Sequence, residues 1–589
     1  MIISKHPITT KTTICLLLLF FSTMVNAQEE NLYDHTTPIE PLIIQYGHDV
    51  QAINYFYGPM PKGWGFQQAA ASPEQVQRLL EIDQSYLDKL KAFPYNALET
   101  NGQVDYILLN RKVKQHIEHL LDKKKQHERL GNYLSFAEEI YALEKQRRRG
   151  TTIEGEKIAE DLNALSQKVQ QAEKALAEDT SLIFEDILFL KEVVESLKLR
   201  LSSVYDFYNG YDPMFTWWVP EPYQHLSARL DQYITALEGL GEHRVFDDGS
   251  QIGGNPIGRD ALNKQLKDEM VAYTADELLR LADQEFAWCQ AELLKASRDM
   301  GFGDDWKAAQ EKVKNAYVPA GKQPELILKL YNTAQEFIKE HDLMDIPTLA
   351  DETWGMIMMT PERQLVNPFF TGGREISISY PTDGMTHEQK RMSMRGNNPY
   401  FSYPTVQHEL NPGHHLQYFM NRRHKPYRER AFNTPFWTEG WTLYWELLLY
   451  DLGYAKTPEE RIGMLFWRMH RCARITFSIK FHLGEWTPQQ CIDYLVDNVG
   501  FEVANAHGEV KRSFEANYGE LYQLAYLVGG LQLMAIKNEL VDEGGMSYKV
   551  FHDRVIKENY MPMELLRAIL IKQDLSPNHE AKWKFYNFK

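Results

Sequence analysis

Between Ser72 and Asp342 the apolar residues recur three and four apart, which commits most of this stretch to amphipathic helices. Ser72-Pro73-Glu74-Gln75 combines an N-cap, a proline suited to the first helical position and a glutamine three residues after the cap. Leu79, Leu80, Ile82, Tyr86, Leu87 and Leu90 follow at helical spacing. The same pattern predicts helices over 103–126, 154–178, 187–207 and near 223–240. It resumes from Arg259 to Asp342, where Thr274-Ala275-Asp276-Glu277 reads as a capping box. Asn209 to Pro213 and Trp217 to Pro222 carry loop signals. The glycines from Gly249 to Gly258 lack the Gly-Lys-Ser/Thr ending of a phosphate loop and read as a connector. Only Ile376-Ser377-Ile378-Ser379-Tyr380 alternates clearly with period two. It predicts one strand in an irregular segment from 351 to 404, and a free strand edge would suit an extended peptide.

A chain of 589 residues exceeds what one core organises, so packed subdomains are expected. A soft boundary is placed in the glycine-rich connector, giving an N-terminal helical region over 28–250 and a second region over 251–589, with the lobes expected to pack as one unit. Residues 1–27 read as a secretory signal peptide: Lys5 and Lys11 precede an apolar run from Ile14 to Phe21, with a small-residue cleavage site at Val25-Asn26-Ala27. The mature protein is then expected in the periplasm or outside the cell. Cys15 is not followed by small or polar residues, which argues against a lipid anchor there. No later segment is long and apolar enough to span a membrane. Cys289, Cys472 and Cys491 remain, an odd and widely spaced set that makes no disulfide framework, although Cys472 and Cys491 are a conceivable pair. A net charge of −17 disfavours nucleic acid as a partner.

The chemistry concentrates in His408-Glu409-Leu410-Asn411-Pro412-Gly413-His414-His415. In the zinc-protease pattern His-Glu-x-x-His, two imidazoles share a helical face and the Glu serves as general base. Here the second His position is Pro412, which cannot donate to the carbonyl of His408 and interrupts the helix. Looping out two residues would bring His414 to the vacant position; looping out three would bring His415. Tyr403-Pro404-Thr405 is expected to cap the start of this helix. Downstream, Thr438 to Glu446 reads as a helix with Glu439 in its first turn and Glu446 on the same face. A carboxylate from that helix would complete a two-His, one-Glu set with a position left for water.

The two motifs together, His408-Glu409-x-x-Pro412-Gly413-His414 and Glu439-Gly440-Trp441-Thr442-Leu443-Tyr444-x-Glu446, resemble the DUF885 family of bacterial proteins. That family is similar to helical zinc peptidases of the gluzincin type. The resemblance implies a mainly α, zincin-like fold in two lobes around a cleft, with a few short strands near the metal. It implies one zinc ion held by His408, His414 and Glu439, with Glu409 as general base and His415 and Glu446 as orienting residues or, for His415, an alternative ligand. Arg471, Arg474 and His482 match a family segment. The arginines are expected to bind substrate, and His482 or Tyr526 to stabilise an oxyanion. Ser478, Lys480 and Glu520-Leu521 depart from the family pattern. The activity implied is hydrolysis of a short peptide. A hydrolase for another amide or ester, or a non-catalytic binding protein on the same helical shell, would carry the same motifs.

Overall fold

The computed structural model describes residues 36–58, 69–240, 246–364, 369–515 and 518–588; the expected signal peptide lies outside them. The described chain is mainly helical with few strands. No described helix is long and apolar enough to cross a membrane.

Most of the expected helices form where the periodicity put them: Pro73–Lys91, Thr100–Arg129, Gly155–Glu178, Phe184–Tyr208 and Ala275–Asp299. The Ser72 hydroxyl accepts from the Gln75 amide, and Thr274 and Glu277 form the reciprocal capping box. The aromatic stretch after Asn209 departs from expectation. Pro213 and Pro220 open helices, Pro213–Trp218 and Pro220–Leu240, because a missing N–H costs nothing in a first turn. Pro404 likewise does not cap its helix. The helix starts at Pro399 behind an Asn398 cap, and Pro404 sits inside it. The carbonyl of Tyr400 therefore lacks its usual donor four residues on. Gly463 packs directly on that carbonyl, where a Cβ would approach to 2.0 Å.

The hydrophobic cores do not divide at residue 250. Residues from Ile39 to Val113 share one core with residues from Leu326 to Leu575. The buried pair Arg428–Asp105 at 2.6 Å, with Arg428 also on Glu558, fastens these stretches together. A separate core draws only on residues 130–237. A third, from Ile252 to Val528, surrounds the helix Pro458–His482, which is buried along most of its length.

The expected strand is Glu375–Ile378, paired in parallel with Gly355–Met358. Its other edge is engaged at one point by Thr371, which exchanges both backbone hydrogen bonds with Ser377. The bridge holds the backbone just ahead of Gly372 and Gly373, which runs over the motif described next.

Candidate metal centre

The helix Pro399–Glu409 ends at Glu409, and a new helix begins at His414, running to Asn421. Between them the Asn411–Pro412 peptide is cis. Gly413 lies so close to the end of the first helix that a Cβ would sit 1.9 Å from the His408 carbonyl oxygen. Carbonyls freed by such a break need donors when buried. Gln335 Nε2 donates to Asn411 O at 2.7 Å, and Trp441 Nε1 donates to Pro412 O at 2.8 Å. The break is therefore tied to the helix Pro435–Asp451, on which Trp437, Trp441 and Trp445 make a fully buried stripe. Glu439 lies five residues into that helix, one turn deeper than expected.

This arrangement brings His408, Glu409 and His414 together, each with one ligand atom within 4.8 Å of the others'. Glu439 Oε2 faces both imidazoles, 3.7 Å from His408 Nε2 and 3.4 Å from His414 Nε2. It has no hydrogen-bond partner although it is buried. Donors on a tetrahedral zinc with bonds of about 2.0–2.1 Å stand ~3.3 Å apart. The imidazole–carboxylate chemistry of His408, Glu409 and His414, with Glu439 facing both rings, could hold a metal ion. His415 is turned away: its ring nitrogens face the carbonyls of Arg374 and Ala350 at 3.1 and 2.9 Å. Of the two histidines left open by the sequence, His414 is the one in the cluster.

Two groups steady the set from behind. His408 Nδ1 is 2.6 Å from Glu446 Oε1, which fixes the ring and leaves Nε2 pointing inward. Tyr522 donates its hydroxyl to Glu439 Oε1. Burial alone would lower the His408 imidazole, but Glu439 and Glu446 outweigh it and hold it at about 9. Burial opposes ionisation of Glu439 too, yet His414 and His408 keep its carboxyl well below the usual range. Glu409 goes the other way, raised chiefly by burial. That is the direction a general base needs if it is to accept and return a proton near neutral pH. The backbone at Gly372 covers it, with a Cβ there only 2.8 Å from that of Glu409.

The same residues line a cavity of about 240 Å³, whose other end is formed by Arg471, Arg474, Arg512, Glu509, Tyr518 and Tyr526. Arg471 reaches Glu446 at 3.2 Å. Arg474 Nε donates to Glu509 Oε1 at 2.7 Å, and Arg512 stands 3.4 Å from Glu509 Oε2. The Tyr526 ring lies between the two ends, 6.2 Å from the His408 ring and 4.4 Å from the guanidinium carbon of Arg474.

The DUF885 profile, described as a bacterial protein of unknown function, matches residues 66–570. The chain belongs to the DUF885 family. Two solved structures resemble this DUF885 chain at low identity. One is a candidate lipoprotein of unknown function from Shewanella oneidensis, with a TM-score of 0.63 and 14% identity over 90% of this chain and 99% of that one. The other is a candidate lipoprotein from Colwellia psychrerythraea, with a TM-score of 0.54 and 16% identity over 90% and 97%. No curated protein matches it.

Of the residues singled out in this DUF885 sequence, His408, Glu409, His414, Glu439, Arg471, Arg474 and Tyr526 line the one cavity. Glu446 stands behind His408. His482 does not line the cavity. It is buried against Phe481 and Phe514, and burial depresses its imidazole to about 4. A neutral ring outside the cavity is not placed to meet an oxyanion there. Tyr522, Glu509 and Arg512 were not anticipated. Their spacing offered a faint signal, since Tyr522 and Tyr526 are one helical turn apart, as are Glu509 and Arg512. Cys289, Cys472 and Cys491 are free and buried, so Cys472 and Cys491 do not pair.

Proposed function

We propose that this protein is a zinc-dependent hydrolase, a metallopeptidase of zincin-like, two-lobed architecture acting on short peptides outside the cytoplasm. The observation that carries the reading is the convergence of His408, His414 and Glu439 around one point beside the buried carboxyl of Glu409. Bound there, zinc would supply Lewis acidity, polarising a substrate carbonyl and acidifying water. Glu409 takes the proton from the attacking water and returns it to the leaving nitrogen. The Tyr526 hydroxyl, at 3.5 Å from that of Tyr522, is the donor best placed for the carbonyl oxygen as it gains charge. Burial keeps that phenol protonated, its pKa pushed up to about 12. The compact cavity favours short chains over folded proteins. Export is supported by the signal-like N-terminus and by structural relatives described as candidate lipoproteins.

The test is metal content and peptide hydrolysis of purified wild type, Glu439→Ala and Glu409→Gln. Wild type should carry one zinc per chain and cleave peptides. Glu439→Ala should lose the metal, and Glu409→Gln should keep it while losing activity by about 10²–10⁴-fold. Wild type without stoichiometric metal would defeat the proposal, and full activity in Glu409→Gln would remove Glu409 as the base.

A further inference from the structure

The end of the cavity away from the histidines is rich in guanidinium groups. Arg471, Arg474 and Arg512 stand there against two carboxylates, Glu446 and Glu509. His470, also beside Glu509, adds no charge, because burial and then Arg474 hold its imidazole at about 3. Arg474 is only 3% exposed, and while its Nε is held by Glu509, its Nη1 has no hydrogen-bond partner. An unpaired guanidinium nitrogen in a buried wall is costly unless a ligand completes it. The planar fork of arginine matches a carboxylate better than any neutral group.

Position restricts which carboxylate. The Tyr526 ring bridges Arg474 and His408, so the guanidinium lies within about three extended residues of the imidazole, at ~3.3–3.6 Å per residue. The Arg474 fork and its hydrogen bond occupy part of that span. We infer that Arg474, flanked by Arg512, seats the free α-carboxylate of a peptide, so that cleavage falls one or two residues from the C-terminus. The inference rests on the hydrolase reading and narrows it to an exopeptidase acting at the carboxyl end. Water adds across the C–N bond, hydroxyl to the carbonyl carbon and proton to the departing nitrogen, so no further reactant is required. Glu509 is a positioning residue: it anchors Arg474 through Nε.

The experiment uses zinc-loaded Glu409→Gln protein and two probes, N-acetyl-Phe-Ala-Ala and its C-terminal amide, with binding measured by calorimetry. The free acid should bind at least tenfold more tightly than the amide. Equal affinities overturn the inference, whatever the wild type cleaves. In a background of Glu409→Gln with Arg474→Met, the acid preference should collapse, and a folded protein that keeps it would acquit Arg474. If that variant does not fold, Arg512→Met with Glu409→Gln takes its place, with the preference expected to fall severalfold. Wild-type hydrolysis of the same probes separates the two readings. Acid-selective binding without hydrolysis by wild type rejects the peptidase and keeps the carboxylate seat. Equal cleavage of acid and amide keeps the peptidase and rejects the seat.

Discussion

Glu446 and Tyr522 act on the candidate ligands without joining them, and their substitution separates orientation from coordination. Glu446→Gln weakens the acceptor that fixes the His408 ring; Tyr522→Phe removes the donor on Glu439 Oε1. Each should reduce zinc affinity by about 10–100-fold while leaving a measurable site. Competition with a fluorescent chelator reads this directly. Loss as complete as in Glu439→Ala would mean that the residue is a ligand. The two were not equally legible. Glu446 follows Glu439 by two helical turns, so periodicity puts both on one face. Tyr522 lies on another helix, 83 residues from its partner, and no local period connects them. The arginine end was half visible for the same reason: Arg471 and Arg474 stand on the helix Pro458–His482, while Arg512 and Glu509 come from the helix Val503–Glu515.

At the scale of elements, the site depends on two places where backbones touch. One is the Pro412-Gly413 break, where Gly413 lies against the end of its own preceding helix. The other is the crossing of the helices Pro435–Asp451 and Tyr522–Lys537. There a Cβ on Gly440 would come within 2.8 Å of Gly529 Cα, and one on Gly529 within 2.4 Å of the Phe436 carbonyl oxygen. That crossing is what delivers Tyr522 to Glu439. Gly413→Ala and Gly529→Ala should each destabilise the fold by about 1–3 kcal/mol or more in urea unfolding, and should weaken zinc binding. Gly47→Ala, in the exposed face of the helix Glu40–Tyr57 with open space around it, should instead stabilise by about 0.5–1 kcal/mol. A Gly529→Ala protein with unchanged stability and zinc affinity would refute the close-crossing argument. The sequence announced helices through caps and periodicity, which are local. It misjudged Pro213, Pro220 and Pro404, because a proline reads as a stop or a cap until the first turn, or the neighbour covering the freed carbonyl, is known. The particular core that residues 39–113 share with the C-terminal half is long-range packing that no local signal reports.

For the whole molecule, buried histidines set the response to acid. His470, His482 and His552 are held neutral, at about 3, 4 and 4, chiefly by burial. His552 fits that state in detail: Nδ1 lies 2.7 Å from the Leu343 carbonyl and Nε2 lies 2.7 Å from the Tyr444 hydroxyl, so one nitrogen donates and the other accepts. In the unfolded chain each would titrate near 6.5. Between pH 6.5 and 4.5 the unfolded state therefore binds protons that the folded state refuses, and stability falls as pH falls. His408, held at about 9 by Glu439 and Glu446, opposes this at the upper end of the window, and Glu269 opposes it throughout. Its carboxyl, raised by burial to about 7, is protonated in the fold before it is protonated unfolded. The net uptake on unfolding is roughly one to two protons, a slope of about 1.4–2.7 kcal/mol per pH unit. Urea unfolding of chelator-treated protein at half-unit steps from pH 7 to 4.5 measures it without a contribution from bound metal. His552→Gln, which retains a donor and an acceptor, should lower the slope by about one proton. A flat profile across this window would mean that these imidazoles charge within the fold, and the buried neutral packing of all three would have to be abandoned. Below pH 4.5 a second loss should follow. Glu509 and Glu558, held below the usual carboxylate range by arginine and lysine partners that outweigh burial, are then forced to protonate, and the ion pairs behind the arginine end of the cavity and between the two halves of the chain open together.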